Sequence, residues 1–254
     1  MEKLNLFFLH GFLGRPADWG KVLSIIPEEK NLRLNVPDYF NMDSLSPGRT
    51  MPEWATNFNQ WARRLSNNSG RNIFVGYSLG GRLGLHALEQ DPGFWDEVVL
   101  ISTNPGFEDN FDSVDSTSEQ RRQRWLQDSY WAQEFLTGSW ETILRNWNAQ
   151  PVFAGGAAEP LREEDNYSRD SLSLALTSWS LANQKNMRDL IKEQASKIHW
   201  LVGSRDDKFV KIAETLQKEA PSLRVDVVDE ASHRIIFDRP KILAEKINLI
   251  LHTK

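Results

Sequence analysis

The segment Gly76-Tyr77-Ser78-Leu79-Gly80 constrains this 254-residue chain more than any other. It follows the apolar run Asn72-Ile73-Phe74-Val75 and precedes a stretch with helical patterning, so it reads as strand, sharp turn and helix. Strand and helix crowd together in such a turn, and glycines are needed where a Cβ would meet the neighbouring backbone. Ser78 is then held in a strained conformation with its hydroxyl above the sheet edge, the arrangement called a nucleophile elbow. So loose a five-residue pattern also arises by chance, and its weight depends on what flanks it.

Three flanking segments agree with it. Upstream, Leu4-Asn5-Leu6-Phe7-Phe8-Leu9 reads as a buried strand entering His10-Gly11-Phe12-Leu13-Gly14. An α/β-hydrolase oxyanion hole takes one N–H from the residue after the nucleophile, here Leu79, and one from such a loop, here Phe12. His10 directly follows the strand and is read as a structural hydrogen-bonding residue. Downstream, Ile198-His199-Trp200-Leu201-Val202-Gly203 is a further parallel strand, and Asp206 and Asp207 follow it as candidate acids. Val225-Asp226-Val227-Val228 is another strand, with His233 shortly after it. Ser, Asp, His is the α/β-hydrolase chain order and selects His233 as the base. His86 on the post-elbow helix, His199 inside a strand and His252 near the end read as packing or surface residues.

Composition narrows the remaining classes. The chain has 40% hydrophobic and 26% charged residues, ordinary for a globule with one sizeable core. With no cysteine there is neither a disulfide, a thiolate nucleophile nor a Cys-based metal site, and no His/Asp/Glu group has ligand spacing such as H-E-x-x-H. The formal charge of −5 and the dispersed Lys and Arg residues argue against a nucleic-acid footprint. Neither a signal-peptide pattern nor a spanning apolar run is visible, so a cytoplasmic protein without a membrane span is expected. The oligomeric state is open and compatible with a monomer.

Strands near 4–9, 31–36, 72–77 and 97–102 alternate with helices near 51–66 and 79–90, which predicts an α/β, doubly wound, mostly parallel sheet. After Asn104-Pro105-Gly106 the alternation stops, and helical stretches are read near 117–136, 139–147 and 169–183. The expected organisation is a core from 1–104 and 191–254 with a helical cap from 105–190 inserted between late strands, above Ser78. Trp125, Trp131, Trp140, Trp147 and Trp179 fall in this cap, where large side chains serve to bury apolar surface. Arg121, Arg122 and Arg124 lie there too. Arg82 is four residues past Ser78 and on the same helix face; it either points into the cleft to grip a carboxylate or forms an ion pair on the helix surface.

Several strings together resemble the menaquinone-pathway 2-succinyl-6-hydroxy-2,4-cyclohexadiene-1-carboxylate synthases, members of the α/β-hydrolase superfamily. They are Gly76 through Arg82, His10 through Gly14, the run Trp147-Asn148-Ala149-Gln150-Pro151-Val152-Phe153, and Arg205-Asp206-Asp207-Lys208-Phe209. Ser102 through Gly106, Arg121 with Arg124 and Asp128, and Ser180 through Gln184 support them. The elbow and the oxyanion loop are common to many α/β-hydrolases, whereas Arg82, Gln-Pro-Val-Phe and Arg-Asp-x-Lys-Phe are more specific.

The resemblance implies an α/β-hydrolase fold and a cofactor-free lyase that removes pyruvate from a succinyl-enolpyruvyl-hydroxycyclohexene-carboxylate, a small polycarboxylate. It implies Ser78 as proton-abstracting base, His233 as its activator and Asp206, by the register of Arg-Asp-x-Lys-Phe, as the acid. Arg82 and Arg124 would hold substrate carboxylates, with Trp147 and Tyr77 at the substrate. The chain departs from the family at Asn148, in place of an aromatic, at Ser232, in place of Gly, and at Arg234-Ile235-Ile236, where a polar residue and a second His are usual. The other function classes are a carboxylesterase or C–C hydrolase with Ser78 as acyl nucleophile, and a non-catalytic binding protein on the same scaffold.

Overall fold

Alternation of large side chains along the strands gives the central sheet two buried faces. A computed structural model describes residues 2–108 and 114–252. Its strands are β1 (Leu4–Leu9), β2 (Leu32–Asn35), β3 (Arg71–Tyr77), β4 (Glu97–Ile101), β5 (Ile198–Gly203) and β6 (Arg224–Val228). They form one sheet of order β2-β1-β3-β4-β5-β6, with every pairing parallel. Parallel strands require crossovers, and these are helical: α1 (Gly20–Leu23), α2 (Met51–Ser66), α3 (Leu79–Gln90), α4 (Val114–Thr137), α5 (Trp140–Asn148), α6 (Arg169–Ser178), α7 (Arg188–Glu193) and α8 (Asp207–Glu219); α9 (Ile235–Asp238) and α10 (Pro240–His252) follow β6.

Phe7, Phe74, Leu100 and Trp200 point to one face, where they meet Trp54 and Phe58 of α2, Leu83 of α3 and Phe209 and Leu216 of α8. Leu6, Phe8, Ile73, Val75 and Leu201 point to the other, against Leu243, Ala244 and Ile247 of α10. Both faces are covered, as parallel sheets demand. The α2 helix shows how local sequence sets an element. Thr50 and Glu53 exchange side chain-to-backbone bonds as a capping box, Pro52 sits in the first turn, and Asn67 closes the end in a left-handed conformation with φ of 52°. A cap of this kind contributes about 1 kcal/mol.

The chain between β4 and β5 supplies α4 to α7 and places no strand among its described residues. Trp131, Ala132 and Phe135 of α4, Ile143 of α5 and Leu172 and Ala175 of α6 join the same apolar cluster as the α2 and α3 face of the sheet, so the helices between β4 and β5 share one core with the sheet. The helical stretch read to residue 183 ends instead at Ser178. The Ser180 hydroxyl donates to Asp128 at 2.7 Å and accepts from the Ala182 N–H at 3.0 Å, turning the chain into a short 3-10 turn at Leu181–Asn183. Among the described residues, no helix is long and apolar enough to cross a membrane.

Candidate active site

Ser78 stands between β3 and α3 with φ of 53° and ψ of −111°, a conformation that L-residues rarely adopt. The glycines around it answer to contact. A Cβ on Gly76 would lie 2.7 Å from the Gly81 backbone, and one on Gly80 only 2.5 Å from the Leu9 carbonyl oxygen. The Ser78 N–H donates to Ile101 O at 2.8 Å, extending the β3–β4 ladder by one bond and fixing the turn.

Two further strand ends bring the candidate partners to this turn. Asp206 caps α8 just after β5, and His233 lies in the loop after β6. The Ser78 Oγ and His233 Nε2 are 3.2 Å apart, and His233 Nδ1 is 2.7 Å from Asp206 Oδ2. An ionised Asp206 requires the proton on Nδ1, which leaves the Nε2 lone pair facing the hydroxyl. Asp207 is exposed, and Asp206 is the acid whose carboxylate reaches His233. The His233 ring is enclosed by Phe209 at 4.6 Å, Tyr77 at 5.9 Å and Phe153 at 6.0 Å between centroids.

Phe12 and Leu79 both line the cavity above Ser78, and neither backbone N–H donates to another described group. A tight turn shapes the first: Gly14 N–H bonds to Gly11 O at 3.0 Å, and Leu13 takes a positive φ of 57°. His10 is fully buried, stacked on Tyr39 at 4.4 Å, with Nδ1 2.9 Å from Gly11 O. Burial pulls its pKa down to about 4, so it is a neutral ring that braces the loop. His86 is buried beside Arg82, His199 meets Glu97 at 2.8 Å and His252 meets Glu29 at 3.0 Å, all away from Ser78.

The cavity over Ser78 and His233 has a volume of about 280 Å³ and is roofed by Trp131, Trp147, Val152 and Phe153 of the cap. Arg82 reaches it from below. Its Nε donates to Gln184 Oε1 and its Nη2 to Trp179 O at 2.8 Å, while Nη1 bonds to no described residue. Burial, and then the neighbouring Arg124, pull its pKa down to about 9, which leaves it cationic at neutral pH. Arg124 Nε donates to Asp128 Oδ2 at 2.8 Å, and its two terminal nitrogens bond to no described residue. Lys208 stands at the mouth, where crowding by protein and then Arg124 lower its pKa. A second hollow of about 530 Å³ shares Arg124 and Lys208 with the first.

Other expectations meet different outcomes. Trp147 lines the cavity, but Tyr77 does not. Strand alternation sends Tyr77 with Ile73 and Val75 to the α10 face of the sheet, where its ring packs under Gly11 and burial raises its pKa. Arg122 pairs with Glu119 on the surface, and Arg121 donates to the Ala182 and Gln184 carbonyls. Of the five cap tryptophans, Trp131 and Trp179 are buried and Trp125 is 39% exposed. Lys208 had no role in the sequence reading, although its signal was present: the first turn of α8, two residues past the acid, must lie near the strand end. Among the described residues, no group of three or more His, Cys, Asp or Glu comes together as metal ligands.

The Alpha/beta hydrolase family matches residues 6–246. This chain belongs to that family. Among relatives, the 2-succinyl-6-hydroxy-2,4-cyclohexadiene-1-carboxylate synthase of Klebsiella pneumoniae is 29% identical over 92% of this chain and 88% of its own. The structure of MenH from S. aureus superposes with a TM-score of 0.79 at 19% identity, over 99% of this chain and 94% of that one. A malate-bound thermophilic esterase from Thermogutta terrifontis superposes with a TM-score of 0.70 at 18% identity, over 98% and 90%. The two structures establish the α/β-hydrolase architecture, and the relative carries the synthase name that the sequence motifs resemble.

Proposed function

We propose that this α/β-hydrolase enzyme is a lyase of menaquinone biosynthesis. It would eliminate pyruvate from a succinyl-enolpyruvyl-hydroxycyclohexene-carboxylate to give 2-succinyl-6-hydroxy-2,4-cyclohexadiene-1-carboxylate. The observation that carries the reading is the surplus of cationic side chains, Arg82, Arg124 and Lys208, around a serine hydroxyl in contact with an imidazole. A polycarboxylate is the guest such a cavity stabilises best.

In this mechanism Ser78, activated by His233 and Asp206, removes a proton next to a carbonyl of the substrate. The freed electron pair shifts through the ring and breaks the C–O bond to the enolpyruvyl group, which takes up a proton and leaves as pyruvate. Negative charge builds on the carbonyl oxygen, and the Phe12 and Leu79 N–H groups are the donors for it. Arg82 and Arg124 hold carboxylates with their open nitrogens, and Trp147 forms an apolar wall. Proton and electron pair move within one substrate, so the reaction is redox-neutral. On this reading residues 1–104 and 191–254 form the catalytic core, and 105–190 a recognition cap in the cytoplasmic enzyme.

The test is release of pyruvate from the enolpyruvyl precursor generated in situ. Ser78→Ala should lower kcat by roughly 10³-fold or more. The second reading, an esterase, is favoured by the elbow geometry at Ser78, on a fold shared with the Thermogutta esterase. It predicts burst hydrolysis of p-nitrophenyl esters without pyruvate release, and that outcome would replace the lyase assignment.

A further inference from the structure

Asn148 lies far along the chain from Ser232 and Arg234, and all three are among the positions at which the sequence departs from the synthases it resembles. In the fold they form one cluster. Arg234 Nη2 donates to Asn148 Oδ1. The Arg234 N–H donates to Ser232 Oγ at 3.1 Å, and Ser232 Oγ in turn donates to Asp238 at 2.6 Å. Asp238 also accepts from the Ala157 N–H at 2.6 Å, so the loop bearing His233 is stitched to the cap segment that follows α5.

Charge extends the cluster into a ladder of alternating sign that runs from core to cap and back. Asp18, just past the oxyanion loop, takes both terminal nitrogens of cap residue Arg162 at 2.8 Å each. Arg162 bonds to Glu159, and Glu159 Oε2 lies 2.9 Å from Nη2 of Arg234, next to His233 in the core. Arg162, Asp18 and Arg234 have side chains no more than 5% exposed, and the four charges sum to zero. Such a chain of short, desolvated, directional contacts holds a geometry far better than apolar packing alone.

The ladder ends on the pocket wall. The Arg234 guanidinium lies 4.2 Å from the centroid of Phe153, and its Nη1 donates to Ala157 O at 3.3 Å. Phe153 lines the cavity and stands 6.0 Å from the His233 ring. Asn148, at the other end of the same guanidinium, directly follows the wall residue Trp147.

We propose that Arg234 is a positioning and specificity-determining residue: it fixes the cap turn bearing Phe153 against the loop bearing His233, and so sets how large a group fits in the cavity beside the imidazole. The assignment rests on the reading of Ser78 and His233 as the reacting pair, not on the identity of the substrate.

The test compares Arg234→Met and Arg234→Lys with the unaltered protein in two assays. One is the rate at which Ser78 is labelled by an ethyl fluorophosphonate and by a bulky biphenyl fluorophosphonate. The other is the kcat and KM of pyruvate release. Arg234→Met should raise the bulky-to-small labelling ratio about tenfold and KM about tenfold, with kcat changing less than about threefold. Arg234→Lys keeps the charge opposite Glu159 but loses the planar fork, and should show an intermediate rise of about threefold. If Arg234→Met does not fold, Asn148→Ala removes a single bond of the cluster and should shift the ratio in the same direction. A labelling ratio within about twofold of the unaltered protein in folded variants would overturn the assignment, as would an equal loss of both labelling rates and kcat with KM unchanged. An unaltered protein that takes neither probe would overturn the reacting pair and the Arg234 assignment together.

Discussion

Two sets of arginines lie between the sheet and the helices inserted after β4, and their surroundings differ. Arg162 and Arg234 meet Asp18 and Glu159, and that cluster is electrically balanced. Arg82 is equally buried, yet its bonds go to neutral acceptors, the Gln184 amide and the Trp179 carbonyl, while Asp128 is shared with Arg124. The second set therefore leaves uncompensated positive charge facing a cavity, which destabilises the empty fold and stabilises an anionic guest. A balanced cluster joins parts of the protein; an unbalanced one waits for something from outside.

The sharpest way to break this contrast is to delete one arginine from each set. Arg82→Met should reduce kcat/KM for the carboxylated substrate by about 10³-fold, roughly 4 kcal/mol, while thermal unfolding shows stability changed by no more than about 1–2 kcal/mol. Comparable losses in both measurements would make Arg82 a structural residue and erase the distinction. Arg162→Met should do the reverse. It strands the Asp18 carboxylate in the interior and should cost about 3 kcal/mol of stability by urea unfolding, the low end of the range for a broken buried pair because Glu159 keeps Arg234. Adding Asp18→Leu should restore part of that loss. If the double replacement is no better than the single one, the ladder is not held by pairing.

A smaller effect separates the two surroundings by pH. His10 lies near Asp18 and Arg162 and has its pKa lowered to about 4; His86 lies near Arg82 and Lys185 and is lowered further, to about 3, first by burial and then by those cations. Both rings are neutral when folded, whereas the unfolded chain binds their protons below about pH 6.5. Stability is thus full above pH 6.5 and lost as the pH falls towards 4 and 3. From pH 7 to pH 5 each ring should contribute a loss of about 2 kcal/mol. Urea midpoints across that interval measure it, and His86→Leu should remove roughly half of the histidine-dependent drop. An unchanged slope would assign the acid sensitivity to carboxylates instead.

What could be read from the sequence follows from how local each constraint is. The elbow was legible because the crowding around Gly76 and Gly80 lies within one strand–turn–helix unit. Asp206 and His233 were reachable because each follows an apolar run that ends at the same sheet edge. Tyr77 is absent from the cavity lining for an instructive reason: as the last residue of β3 it follows the strand's alternation, and its ring goes with Ile73 and Val75 to the α10 side. The contacts of Arg234 could not be read, since residue 148 approaches residue 234 only after α5 and the β6 loop have both been placed. Arg122 and Arg124 look alike in sequence, and only the rotation of α4 sends one to Glu119 at the surface and the other to the cavity.

The meeting of Gly156 with Ser232 has a consequence for how such a chain can evolve. A Cβ at position 156 would stand 2.3 Å from the Ser232 hydroxyl oxygen and 3.1 Å from its Cβ. A side chain there would force the hydroxyl to rotate off Asp238, so the two positions are sterically coupled. Substitution at 156 is thus tied to the residue at 232: a larger side chain there is accommodated only where the serine turns away.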